Sequence, residues 1–384
     1  MAIGGRKIDM SKFIEYFANS TRSLRIQIQS VSPKNKIIYI LLFFLSVGII
    51  SATVFAYQVK KNIDKMMIPE TRMTETTGQK NDQYETDDGI RQENNNHFYV
   101  LVMGMDYREG HHSLLTDLLM VFHVIPEESV IKLLSIPRDL IVENSRGYLD
   151  KMNTLFYEGY LLYQEMAEQD PSMLTGNTVE LGSRKMDKIV LSGAMSHTRN
   201  KIEELLDIDI EHMVLVDFQA LVSLVDEVGG IEIEVKRSMR YKETNLYLEP
   251  GLRVLNGEEA LAFVRYRQDD RGQRYYISDF ERAKNQQEVV KKLADKILSW
   301  RNITKSLGLL DILSDNLKTD MNYSDMYTMI TKYYDVFDGN SFVSIPFPEH
   351  YNSKKEVIIP EDSLENLRNT FNSINSINSI NDGK

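Results

Sequence analysis

LLSIPRDL, residues 133–140, begins as a buried strand and ends as something else. Leu133, Leu134 and Ile136 carry the apolar bulk that a sheet covered on both faces requires. Pro137 cannot donate to a strand ladder and biases Ile136 away from helix, so the chain leaves the sheet there. What leaves with it is Arg138-Asp139. A guanidinium at the mouth of a core strand is costly unless it is paired or meets an anion.

Working outward, FYVLVM (98–103), LLMVFHV (118–124), VIKLLSI (130–136), HMVLVDF (212–218), IEIEV (231–235) and FVSIPF (342–347) read as strands. Helical periods alternate with them near 151–168, 195–206, 218–227, 257–266, 279–300, 306–317 and 323–337. The expected fold is α/β, a central mixed sheet covered by helices on both faces, in one folded region over 97–360.

Before that region, residues 37–59 run uncharged for roughly 23 positions, enough to cross a hydrocarbon core as a helix. A cleaved signal peptide is the competing reading, with Val54-Phe55-Ala56 as its site, but the polar segment ahead of the apolar run is too long for one. Arg6, Lys7, Lys12, Arg22, Arg25, Lys34 and Lys36 outweigh Asp9 and Glu15 in the leading flank. The expectation is a cytoplasmic tail (1–36), a single transmembrane helix (37–59) acting as signal-anchor in the cell membrane, and an extracellular main domain. Residues 60–96 read as a polar stalk and 361–384, with its NSINSINSIN repeat, as a low-complexity tail.

The net charge of −11 argues against a nucleic-acid partner, because phosphate neutralisation needs a basic face. Any anion site is therefore local. The absence of cysteine excludes disulfides, thiolate metal sites and cysteine nucleophiles. No GxxxxGK[ST], GxSxG or HExxH motif is present. His111-His112 stand together in an expected loop and read as a solvated pair.

Charged residues at the ends of elements carry more. Asp106 and Arg108 follow the strand 98–103, Asp117 opens the next and Arg138-Asp139 closes the third. If these strands are neighbours, the charges gather along one sheet edge, where carboxylates suit magnesium and guanidinium groups suit phosphate. A structural salt-bridge network is the alternative on spacing alone. Arg265, Arg267, Arg271, Arg274 and Arg282 crowd a second span. Ser278 with Glu281 forms a capping-box signature, so a helix starts near Asp279 and stacks Asp279, Arg282 and Gln286 along one stripe beside an apolar one.

The blocks VLVMGMDYRE, LLTDLLMVF, LLSIPRD, DKMN, VLVDFQALVSLVDEVGGIEIEV, GLRVLNGEEALAFVRYR and SDFERAKNQQ follow the order of the LytR-CpsA-Psr family, which this chain resembles from about 98 to 290. That resemblance implies a membrane-anchored cell-wall glycopolymer ligase, transferring polymer from an undecaprenyl-diphosphate carrier to peptidoglycan with Mg2+. It implies catalytic roles for Asp106, Arg138 and Arg282, metal binding by Asp106 and Asp117, and diphosphate or sugar contacts from Arg108, Arg138, Lys151, Asn153, Arg265, Arg267, Arg282 and Gln286. Gly229-Gly230 fits a tight turn ahead of a strand.

The chain departs from the family pattern at Leu115 and Asn285, where arginines are usual, and through a longer connection over 160–195. Two other readings stand beside the transferase. One is a non-catalytic membrane protein that binds polyprenyl diphosphate as a scaffold. The other is a transcriptional attenuator, for which the short leading segment leaves no helix-turn-helix room.

Overall fold

The computed structural model describes residues 33–71, 97–106, 114–181, 184–298, 303–332 and 342–374. The chain divides into two compact units, residues 1–61 and 62–384. Helix α1 (Pro33–Met66) contains the uncharged stretch. Among the described residues no helix is long and apolar enough to cross a membrane, and the side chains of 33–44 lie outside those described.

The second unit is built on a six-stranded sheet. Its strands are β1 (Phe98–Met105), β2 (Thr116–Ile125), β3 (Val130–Ser135), β4 (His212–Asp217), β5 (Leu317–Thr319) and β6 (Phe342–Ile345), in the spatial order β5-β4-β1-β2-β3-β6. β1 pairs antiparallel with β2 and parallel with β4, and β3 pairs parallel with β6, so the sheet is mixed as expected. The first three strands are neighbours, which is the condition the charge cluster needed.

Period-two alternation divides the core. Leu101, Met103, Leu119, Val121 and Leu134 pack on one face against helices α2 (Leu155–Gln169) and α3 (Lys188–Leu206), through Leu155, Phe156, Leu191 and Met195. Leu118, Met120 and Leu133 face the other way, onto α4 (Phe218–Glu227), α5 (Gly257–Arg265) and α6 (Asp279–Leu298). Leu101 is wholly buried, and its truncation to alanine costs about 2–5 kcal/mol. Gly104 is required where β1 bulges, since a Cβ there would lie 2.7 Å from Leu118 Cβ. Gly229 and Gly230 both adopt positive φ in the turn before the strand 231–235, as their spacing implied.

Helix α3 starts at Lys188, seven residues before the periodicity suggested, because Asp187 caps it by accepting from the Ile189 N–H. The long connection folds as the end of α2, a short turn at 171–173 and a hairpin, Thr178–Leu181 against Arg184–Asp187. The IEIEV strand is not in the central sheet. It pairs with Gly251–Leu255 in a separate hairpin, burying Ile231, Ile233 and Val235 on α4 and α6 while Glu232 and Glu234 face out.

Two segments read as appendages are parts of the fold. The expected stalk begins inside it: Ile68 is buried, its N–H donates to Thr319 at the open edge of β5, and Ser192, Ser196 and Arg199 of α3 grip Pro69 and Thr71. Residues 72–96 lie outside those described. The expected tail begins as a helix, α9 (Glu361–Asn372), following α7 (Ile303–Asn316) and α8 (Tyr323–Lys332) in the chain. It buries Leu364, Leu367 and Phe371, and Lys132 of β3 donates to the carbonyls of Thr370 and Ser373 at its C-terminal end, where a cation complements the helix dipole. The Asn/Ser/Ile repeat hid this because its last turns are polar, while the apolar stripe at 364, 367 and 371 lies just before it. The domain therefore extends past 360, to at least 374.

Candidate functional site

The charges gather where β1 ends, β2 begins and β3 gives way to Pro137. Arg138 donates to Asp117 at 2.5 Å and lies 3.8 Å from Asp139. Burial opposes its charge, but Asp117, Asp139 and Asp279 outweigh that and raise its pKa above the ordinary guanidinium value. Its turn is fixed from behind. The Asn153 N–H donates to the Arg138 carbonyl at 3.1 Å, and Lys151 donates to Asp139 at 2.7 Å. Asn153 is buried, and its Oδ1 has no hydrogen-bond partner among the described residues.

Helix α6 delivers the second group. Ser278 and Glu281 exchange both bonds of the capping box at 3.2 Å, so the helix starts where the sequence predicted. Its first turns turn Asp279, Arg282 and Gln286 inward, all buried. Asp279 joins Arg282 at 2.6 Å and Arg267 at 3.2 Å, and Arg267 also reaches Asp139 at 3.5 Å. Burial, together with the charge of Arg138 beside it, pushes the Arg282 pKa down to about 10. Asp139, opposed by its own burial, is nevertheless held below the usual carboxylate range by Lys151, Arg138 and Arg267. Arg265, at the end of α5, pairs with Asp106 and lies 5.2 Å over the Phe218 ring.

The structure thus brings together Asp106, Asp117, Arg138, Lys151, Asn153, Arg265, Arg267, Arg282 and Gln286. Arg108 and the His111-His112 pair lie outside the described residues. Asp139 and Asp279, not singled out for roles by their sequence, are the acids that hold the arginines together. Gln287 was also missed. Arg271 is excluded, because it locks Asp269 from two sides, donates to the Ser238 carbonyl and covers Tyr275, which makes it the clamp of its own loop.

Among the described residues, no three His, Asp or Glu side chains form a metal cage. Asp106 and Asp117 follow residues 105 and 116, which face each other across the β1–β2 pair. Two carboxylates are a donor set that fits magnesium when phosphate oxygens complete its shell. Asp117 pairs with Arg138 and Asp106 with Arg265.

The LytR_cpsA_psr family model matches residues 53–373. A polyisoprenyl-teichoic acid–peptidoglycan teichoic acid transferase, TagU of Halalkalibacterium halodurans, is 30% identical over 62% of this chain and 65% of its own length, just under two thirds. TagU of Bacillus licheniformis is 25% identical over 78% of this chain and 83% of its own. The crystal structure of B. subtilis TagV superposes with a TM-score of 0.52 at 25% identity, covering 72% of this chain and 96% of that one.

Proposed function

This chain belongs to the LytR_cpsA_psr family, and from that premise we propose that it transfers a glycopolymer, a teichoic acid or capsule-like polysaccharide, from an undecaprenyl-diphosphate carrier to peptidoglycan. The observation that supports it most is Arg138, Arg267 and Arg282 held around Asp139 and Asp279, with Arg282 buried beside the charge of Arg138. Like charges held side by side repel, and a diphosphate bridging them relieves the repulsion through charge-assisted hydrogen bonds.

The acceptor hydroxyl oxygen forms a bond to the sugar-side phosphorus, and the bond from that phosphorus to the bridging oxygen breaks. Polyprenyl phosphate leaves. The arginines stabilise charge growing on both the transferred and the departing group. Asp106 is the carboxylate we assign to accept the hydroxyl proton. Asp106 and Asp117 would hold magnesium, which when bound withdraws charge from the phosphoryl oxygens.

In this reading residues 37–59 anchor the chain in the cell membrane, with 1–36 cytoplasmic and the main domain outside. Protease added to cells whose wall has been opened is expected to remove the main domain and spare the leading segment. Protection of the main domain rejects that topology.

The central experiment incubates the full-length protein in detergent with lipid-linked glycopolymer, peptidoglycan and magnesium, and follows release of polyprenyl phosphate. Magnesium-dependent release is expected. Binding without release favours the scaffold reading, which Leu115 and Asn285 support by removing two positive charges, and absence of donor binding rejects both.

A further inference from the structure

A short hairpin stands beside the arginine cluster. His350–Tyr351 pairs with Val357–Ile358, and Val357 bridges to Leu140, two residues beyond Arg138. The Tyr351 ring stands at 89° to Phe280, 6.1 Å away, and Phe280 lies between Asp279 and Arg282 on α6. The tyrosine hydroxyl donates to Glu349 at 3.4 Å, and Asp279 and Arg267 both lie within electrostatic reach of it. The hairpin is braced twice: His350 meets Ser363 of α9 at 3.0 Å, and Asn352 closes the turn by accepting from the N–H groups of Lys354 and Glu356.

Tyr351 is nevertheless 47% exposed, and Glu349 is exposed beside it. An aromatic ring held at a fixed angle, half open to solvent, with a carboxylate at its edge, presents a flat apolar surface bordered by a strong hydrogen-bond acceptor. A pyranose has the complementary form, an apolar C–H face rimmed by hydroxyl donors. The sign of Glu349 decides which substrate it serves. The aspartates of the cluster are paired with arginines, whereas Glu349, which accepts from the Tyr351 hydroxyl, would repel a diphosphate and binds the hydroxyls of an uncharged sugar ring favourably.

We propose that Glu349 and Tyr351 form the acceptor-sugar subsite of this protein, the ring packing on a pyranose of the glycan strand and the carboxylate taking its hydroxyls. The proposal rests on the transferase reading for its geometry, since the acceptor hydroxyl must approach phosphorus from a wall of the arginine cluster. Phe280 and the Leu140 bridge make the hairpin such a wall. Its occupant is the hydroxyl-rich acceptor, and the lipid diphosphate keeps to the arginines.

The test titrates a soluble disaccharide of uncharged N-acetylhexosamines into the full-length protein in detergent, without donor, and separately measures binding of polyprenyl diphosphate. Tyr351→Ala and Glu349→Gln are each expected to weaken disaccharide binding about tenfold, the loss of a hydrogen bond to a charged group or its equivalent in contact. Donor affinity should stay within about twofold of the parent, since neither side chain is paired with an arginine of the cluster. Tyr351→Phe keeps the ring and should fall between parent and alanine variant. Unchanged disaccharide affinity in both variants, or donor affinity falling as far as disaccharide affinity, overturns the subsite. A parent that binds donor but no disaccharide overturns it as well. Turnover is not needed for any of these readings, so a parent that binds both ligands without transfer counts against the transferase reading and leaves the subsite standing.

Discussion

Gln287 donates its side-chain amide to Ser135 Oγ at 3.0 Å inside the core, tying helix α6 to the last residue of β3. Arg282 lies five residues before one partner and Arg138 three residues after the other, so a single buried bond sets the two arginines in register. Gln287→Met fills the space but leaves the serine hydroxyl without that partner. The expected cost is about 1–3 kcal/mol of stability, read by urea denaturation. Donor affinity should fall about threefold or more in the folded variant, because the arginines no longer meet the diphosphate in one geometry. Unchanged donor affinity would show the bond to be packing alone.

Arg138 is the centre of the charge network, and its removal leaves Asp117 without its guanidinium and Asp139 with only Lys151 and Arg267. Arg138→Ala should therefore weaken polyprenyl-diphosphate binding at least about tenfold, each charge-assisted bond being worth about 1.5–3 kcal/mol. Arg138→Lys should recover only part of this, since an ammonium cannot make the bidentate fork. Calorimetric titration of both variants checks the order.

These residues also show what the sequence made legible. Pro137 stops β3 and strands Arg138 at the sheet end, and that was readable because proline and a covered strand each have one local consequence. The capping box at Ser278 likewise announced α6 to the residue. Pairings between distant segments were not readable. Nothing local in IEIEV says that it leaves the sheet for a hairpin, and nothing in Lys132 says that it will cap a helix 241 residues further on. The pairing of Asp279 with Arg282 on one helix stripe was readable, but only packing between elements brings Arg267 against both Asp139 and Asp279.

Leu115 and Asn285 flank this network, one just before β2 and Asp117, the other one turn beyond Arg282, and both are half-buried. Of the two loop arginines that could swing toward these positions, Arg271 is clamped on Asp269 and Arg274 lies 4.6 Å over the Tyr275 ring. Transfer is therefore expected to be slow, and Leu115→Arg together with Asn285→Arg should raise the single-turnover rate by restoring charge near the phosphoryl group. Arg271→Ala should lower stability and leave the positions of the site arginines unchanged. If the double variant binds donor yet neither it nor the parent releases polyprenyl phosphate, the scaffold reading replaces the transferase one.

His123 of β2 and Asp320, just past the end of β5, pull stability in opposite directions as pH changes. His123 stacks on Tyr99 at 4.3 Å, and its Nδ1 meets the Phe371 carbonyl of α9 at 2.8 Å. Burial, reinforced by His97 and Lys132 nearby, pushes its pKa down to about 4. The folded chain then binds fewer protons than the unfolded one between about pH 4 and the ordinary histidine value near 6.5, so this contribution is complete above that window and is lost as pH falls through it. Asp320 accepts from the Met213 N–H at 2.7 Å, and burial with Glu70 nearby, partly offset by Arg199, raises its pKa to about 7. Its contribution is present below about pH 4 and is lost as pH rises through 7. Each effect is on the order of 3–4 kcal/mol, so in the parent they largely cancel over the shared window. Asp320→Asn keeps an acceptor for the Met213 N–H and removes one side of the balance. Its stability should climb steeply from pH 4 to 6.5, whereas His123→Gln should become less stable as pH rises toward 7. Urea denaturation of the three proteins at pH 4.5, 5.5 and 7 reads the slopes, and variants that track the parent at all three would reject this account of both groups.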